Sequence, residues 1–427
     1  MQLARNLVRN APLIAGAVLF TGAVSAQTPP PLEQCNLKDE AAFEQRIAGC
    51  SAVISAGQLQ GKDLVLIFVN RSEAYYDKKE YDRALSDFTE AIQRNPQLAA
   101  AYNGRGRVYR ANDDPDLAIT DQNKALDLEP NMLRALNNRG NAFLDKLDIE
   151  RAIADQTEAI RLDQNFGAAF SSRGFAYYVK GEFDRLSSGP PAGTADFDRA
   201  IADLTEALRL DPAYAQGFRL RAMVHGTKGD MDRAVADYDA LLRLDPQSAY
   251  AYYKRGFIFS VTDKIDRALA DYAEALRINP NYEDVYEARS RIYLLRHDYD
   301  SAIPNYTEMI RLDPTGNNGG FVGRAHAYRN KRDFDRAMAD YNEAIRLNPK
   351  IASAFAGRGL VHREKGELDR ALADLNEAIR LEPKNFSVYF DRAETHRKKG
   401  DLAQATADEN EGKRLRECLA QSASCPK

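Results

Sequence analysis

No tryptophan occurs among the 427 residues, and cysteine is almost as scarce, with four in all and none between Cys50 and Cys418. That gap excludes a cysteine-built metal or disulfide framework in the body of the chain. Neither sign of charge dominates: 63 acidic side chains face 59 basic ones, a net of −4, which disfavours general nucleic-acid binding. Long apolar runs are missing as well. The longest, Ala11 to Val24, falls short of the roughly 20 residues that cross a bilayer, so no stable membrane span is expected. What is present is an ordinary soluble balance, 44% hydrophobic and 29% charged, which excludes a disordered or collagen-like chain.

The beginning of the chain reads as a secretory signal. Arg5 and Arg9 precede the apolar stretch, and Val24-Ser25-Ala26 offers the small side chains of a cleavage site, so residues 1–26 are expected to be removed after Ala26. Loss of those two arginines leaves 57 basic against 63 acidic side chains. The product is expected to be periplasmic or secreted. In such an oxidising compartment four cysteines read as two disulfides. Local pairing, Cys35 with Cys50 and Cys418 with Cys425, is favoured if the two ends lie far apart; a redox or metal site would need a CxxC or a nearby Cys/His set, and neither exists.

Comparing the chain with itself reveals its organisation. The phrases RNP, LEP, LDQ, LDP, LDP, INP, LDP, LNP and LEP end at Pro96, Pro130, Gln164, Pro212, Pro246, Pro280, Pro314, Pro349 and Pro383, with gaps of 34, 34, 48, 34, 34, 34, 35 and 34. A period of 34 is that of an array of helical hairpins. In the first helix of each repeat an aromatic, a small residue and an aromatic recur at i, i+4 and i+7, as in Tyr102, Gly106 and Tyr109, so all three share a face. In the second helix Ala118 and Ala125 share a face, a pattern repeated at Ala200/Ala207, Ala268/Ala275 and Ala371/Ala378. Alanine permits close helix approach, and proline opens the turn to the next repeat.

These columns closely resemble the tetratricopeptide repeat (TPR) family. The small column runs from Ser72 and Gly106 to Gly359 and Ala393, and the signature alanine of the second helix, Ala84 through Ala405, is present in every repeat. The resemblance covers residues 65–419 as ten repeats. It implies an all-α, right-handed superhelical solenoid of helix-turn-helix units, with an inner groove lined by first helices, that binds proteins or peptides. Residues 27–64 are expected to form an N-terminal capping segment and residues 420–427 a C-terminal tail. The 14 extra residues in the fourth repeat are expected to form an inserted surface loop at about 186–199. The last repeat, with Glu409 and Gly412 at packing positions, has the polarity of a cap.

One arginine column, Arg71 through Arg392, and one acidic column, Asp87 through Asp408 with Asn305 as the exception, flank the buried stripes, so an internal Arg/Asp ladder is expected. His225, His362 and His396 replace the aromatic of the first helix and are expected in the half-buried core, with His326 on an exposed face. Neither a phosphate-cradling loop nor a nucleophile or zinc motif is found, so an enzyme, a cofactor or a metal site is not expected. The leading function is a non-catalytic protein-binding or peptide-binding scaffold in the cell envelope; the alternative is a structural subunit of an envelope export or polymer-assembly machine. The candidate binding residues are Asn103, Arg107, Arg110, Arg134, Asn137, Asn138 and Asn141, an amide and guanidinium surface with no balancing acid before Asp145. Asparagine bonds an extended backbone and arginine forks a carboxylate, so the expected ligand is an acidic or C-terminal peptide segment.

Overall fold

The computed structural model describes residues 30–37, 42–189, 191–316 and 318–420. Among them are 22 α-helices and no strand. The signal segment and the expected Cys418–Cys425 bridge, whose Cys425 is not among these residues, lie outside that description. The chain separates into two compact units, Met1–Asp245 and Pro246–Lys427. Within each, paired helices stack in chain order, as an all-α solenoid requires.

The hairpin follows from local chemistry. The first helix of repeat two, α5 (Ala99–Ala111), ends in a turn where Asp113 takes a left-handed φ of 64°, and Asp114 then caps α6 (Pro115–Leu128) by accepting from Leu117 N at 3.1 Å. The same left-handed position is held by Lys79, Leu147, Asp263, His297 and Arg332, and by Gly229, Gly366 and Gly400. Helices close on one another where the small column meets the alanine column. A Cβ added at Gly106 would sit 2.6 Å from Gln122 Nε2 and 3.1 Å from the Ala118 carbonyl oxygen, so this column admits only small side chains, and here glycine leaves room for the Gln122 amide. The signature alanines opposite are essentially inaccessible.

The arginine column stitches three helices together. Arg105 of α5 grips Asp121 of α6 with two bonds, Nε to Oδ2 at 2.7 Å and Nη2 to Oδ1 at 2.9 Å, and its Nη1 reaches back to Thr89 Oγ1 on α4 (Tyr81–Arg94) at 3.2 Å. The bond to Asp121 lifts the Arg105 guanidinium above its already high ordinary pKa. Two-bond pairing recurs at Arg71, Arg139, Arg173, Arg221, Arg255, Arg324, Arg358 and Arg392. The ladder is therefore internal and self-neutralising.

At the N-terminal end, α1 (Pro31–Cys35) and α2 (Phe43–Ala56) pack on the first repeat, and Cys35 is disulfide-bonded to Cys50. Both sulfurs are buried against Ile67. Arg71 Nη1 bonds Ser51 Oγ at 3.1 Å, the same reach that Arg105 makes to Thr89. The capping helix thus stands in for the second helix of an absent preceding repeat. The first helix it covers, α3 (Gly61–Asp77), opens one turn earlier than residue 65.

The insertion in repeat four departs from expectation. Among the described residues of the insertion only 189 and 191–193 lie outside helices; Leu186 to Ser188 lie in α9 (Gly167–Ser188) and Thr194 to Arg199 in α10 (Thr194–Leu210), so the extra residues make a helical finger. Gly181 stands where other repeats turn left-handed, yet α9 runs straight through it, and Phe197 and the Gly193 carbonyl pack there too closely to admit a Cβ. The finger leaves Phe183 and Leu186 exposed.

Candidate functional site: the wall of first helices

Each first helix buries one face on its own second helix and turns the other outward. Neighbouring first helices lie side by side, so the outward faces join into a wall, and side chains about 34 residues apart in the chain meet across it. In the first compact unit, Asn138 Nδ2 on α7 (Leu133–Asp145) donates to Asn103 Oδ1 on α5 at 2.8 Å. Arg107 Nη1 donates to Glu73 Oε2 on α3 at 2.9 Å, its guanidinium 4.4 Å from the centre of the Tyr76 ring. Arg110 forks Asp145, with Nε to Oδ2 at 2.5 Å and Nη2 to Oδ1 at 3.2 Å.

The seven expected residues are thus brought together on two adjacent helices, with two corrections. Arg107 is balanced by Glu73, a carboxylate that precedes it by one repeat and that a reading forward along the chain passes over. Asn103 is buried, at 6% exposure, where it works as a polar floor. Arg110 and Arg134 are the exposed members of the seven, and Arg134 forms no ion pair among the described residues.

Beneath this patch lies a feature absent from the sequence expectation. Gln122 and Gln156 are fully buried in the second helices of repeats two and three, in a column that elsewhere reads Phe88, Leu204, Tyr238, Tyr272, Tyr306, Tyr341 and Leu375, with Glu409 in the polar last repeat. Gln122 Nε2 donates to the Asn103 carbonyl at 3.0 Å and Gln156 Nε2 to Asn141 Oδ1 at 3.3 Å. Their Oε1 atoms, and Asn137 Oδ1, are buried without a partner. Two amides interrupting an aromatic column were the available signal.

The basic stretch of the last repeats is compensated in the same manner. Arg363 Nη1 lies 3.3 Å from Glu394 and 3.6 Å from Asp391, Arg329 lies 4.0 Å from Glu364, and Arg397 pairs with Glu409. The histidines keep structural company: His362 Nδ1 bonds Glu367 at 2.7 Å, and His225 is buried. His326, expected on an exposed face, is half-buried, and burial pushes its pKa down. Among the described residues no three His, Cys, Asp or Glu side chains are grouped to hold a metal ion, and no helix is long and apolar enough to cross a membrane.

Stacked hairpins whose first helices form a wall within each compact unit define a helical-repeat protein, the architecture of protein–protein interaction scaffolds. Tetratricopeptide repeat profiles match residues 69–132, 133–166, 224–293, 322–386 and 360–415, together more than half of the chain, which belongs to that family. Among solved structures the chain is similar to yeast Tom70, with 16% identity, 88% of this chain and 89% of that one covered, and a TM-score of 0.40. It is also similar to Pseudomonas aeruginosa pilF, at 18% identity, 53% and 97% coverage and a TM-score of 0.44. A third is YrrB, described as a TPR protein with an unusual peptide-binding site, at 21% identity, 47% and 96% coverage and a TM-score of 0.36. No curated protein matches the sequence.

Proposed function

We propose that this chain is a non-catalytic scaffold of the cell envelope whose first-helix wall captures a protein partner through an acidic or C-terminal peptide segment at Asn103, Arg107, Arg110, Arg134, Asn137, Asn138 and Asn141. The observation that carries the reading is the amide network under that patch. A buried unpaired oxygen costs about 1 to 3 kcal/mol, and three of them, on Gln122, Asn137 and Gln156, gather in two adjacent repeats. A fold that needed only packing would keep the apolar column found elsewhere. The exposed guanidinium of Arg134 supplies the charge for a ligand carboxylate. The envelope location is supported by the Cys35–Cys50 disulfide and by the signal-like Arg5 to Ala26 segment.

The experiment is fluorescence anisotropy of labelled peptides ending in Glu or Asp with a free carboxylate, against their amidated forms. Arg107→Ala with Arg134→Ala is expected to weaken the free-acid peptide at least tenfold, about 1.4 kcal/mol, while helicity is kept. Equal binding by the double variant would remove the site from this patch.

A further inference from the structure

On the wall, carboxylates are answered by cations from a neighbouring first helix: Glu73 by Arg107, Asp145 by Arg110, Glu364 by Arg329, and Asp391 and Glu394 by Arg363. Asp284 and Glu287, exposed on α15 (Glu283–Leu295) in the second compact unit, form no such ion pair. Further along the same face, Leu295 is 81% exposed, and on the adjoining α13 (Ala249–Val261) Val261 is 55% and Phe257 48% exposed. Among the described residues, no other exposed large apolar side chains on first helices occupy two adjoining ones.

The two helices are in register. Tyr253 of α13 packs its ring 5.1 Å from that of Tyr282 at the start of α15. Its hydroxyl is pushed up to about 12, chiefly by burial and further by the Asp284 carboxylate, so it stays neutral. Lys254 lies within electrostatic reach of Asp284 but forms no ion pair with either acid; its ammonium sits over the Tyr253 and Tyr250 rings at 4.9 and 5.6 Å. Arg291 likewise makes no ion pair with Glu287 one turn before it. The face therefore has an acidic end and an apolar end. Glu287 and Leu295 are eight residues apart, which on a helix is about 12 Å, the span of three to four residues of extended chain.

We propose that this face of α13 and α15 is a second peptide site, with chemistry opposite to the first: it takes a segment carrying a basic side chain three to four residues from a large apolar one. The cation lies at Asp284 and Glu287, and the apolar side chain covers Phe257, Val261 and Leu295. The inference rests on the reading that the first-helix wall is the binding surface, and it adds the ligand class of a different part of that wall.

The test uses the full-length chain and the labelled peptide acetyl-Arg-Arg-Ser-Ala-Ser-Leu-Phe-amide. Two controls replace Arg-Arg by Glu-Glu or Leu-Phe by Ser-Ser. Binding of the parent peptide is expected to be at least tenfold tighter than of either control and to weaken as salt rises. Asp284→Asn with Glu287→Gln is expected to remove the preference for Arg over Glu, and Leu295→Ser the preference for Leu-Phe. These substituted positions are exposed, and circular dichroism checks that the helices persist. Equal binding of the Arg and Glu peptides, or binding indifferent to salt and to the Asp284/Glu287 variant, overturns the proposal. If a free-acid peptide binds near Arg134 while the parent peptide does not bind, this inference alone falls; if neither binds, the reading of the wall falls with it.

Discussion

Arg289 reaches across the seventh repeat to the side-chain amide of Asn305, Nε donating to Oδ1 at 2.6 Å, whereas the nine other arginines of that column grip a carboxylate. Asn305 spends its own Nδ2 on the Ser301 carbonyl one turn back, at 2.7 Å. It also follows Pro304, which sits inside α16 (Tyr299–Leu312) and removes a backbone bond there. The seventh repeat therefore lacks the charge balance of its neighbours.

Restoring the carboxylate is expected to stabilise the fold. Asn305→Asp turns a neutral acceptor into a charged one that can take two bonds from Arg289, a gain of about 1 kcal/mol. Urea denaturation checks it, as a rise in midpoint at unchanged slope. The converse change at a complete rung, Asp155→Ala, strands the half-buried Arg139 and is expected to cost about 3 to 5 kcal/mol.

Removing Thr120–Ile153, one 34-residue period, joins equivalent positions of two second helices. Because packing runs between neighbours, the shortened chain is expected to remain highly helical and to unfold cooperatively. Circular dichroism during thermal unfolding decides it; a chain with little helix defeats the repeat-by-repeat account.

The Cys35–Cys50 bridge closes 15 residues of chain over the capping helices. Cys35→Ser with Cys50→Ser is expected to loosen that end by about 2 to 4 kcal/mol, read as early hydrogen exchange in Phe43–Ala56 while the later repeats keep their protection. Peptide mapping without reductant is expected to recover this pair, and Cys418 joined to Cys425.

His225 gives a pH dependence of known sign. It is buried, its Nδ1 has no hydrogen-bond partner, and the nearest carboxylate, Asp230, is 3.9 Å away. Burial is the largest influence and holds its pKa below the ordinary value, while Asp237 and Asp230 pull upward and Arg221 and Arg233 downward. The folded state thus binds fewer protons than the unfolded one. Stability from this group is complete above the ordinary value of about 6.5 and is lost as pH falls from there toward the lower folded value. His225→Phe, which restores the aromatic of the column, is expected to flatten that part of the melting-temperature curve between neutral and mildly acidic pH.

Much of the architecture was legible in the sequence because a helix converts spacing into direction. Residues recurring at i, i+4 and i+7 must share a face, so Tyr102, Gly106 and Tyr109, the signature alanines and the Arg/Asp columns announced which sides pack, and the 34-residue period announced how often. The ladder from Arg105 to Asp121 needed nothing further, since both partners lie within one hairpin. What only the tertiary structure decided are relationships between hairpins, where the stacking offset determines which side chains meet. That offset places Glu73 against Arg107, sets Asn138 against the buried Asn103, and leaves Asp284 and Glu287 without an ion pair beside an apolar face. It also gives Ser51 of the capping helix the role of Thr89. The finger belongs with these. Its Gly/Pro composition reads as loop, but the helix runs on through Gly181, which packs against Phe197, sixteen residues away, and a contact at that distance is fixed by packing, not by local preference.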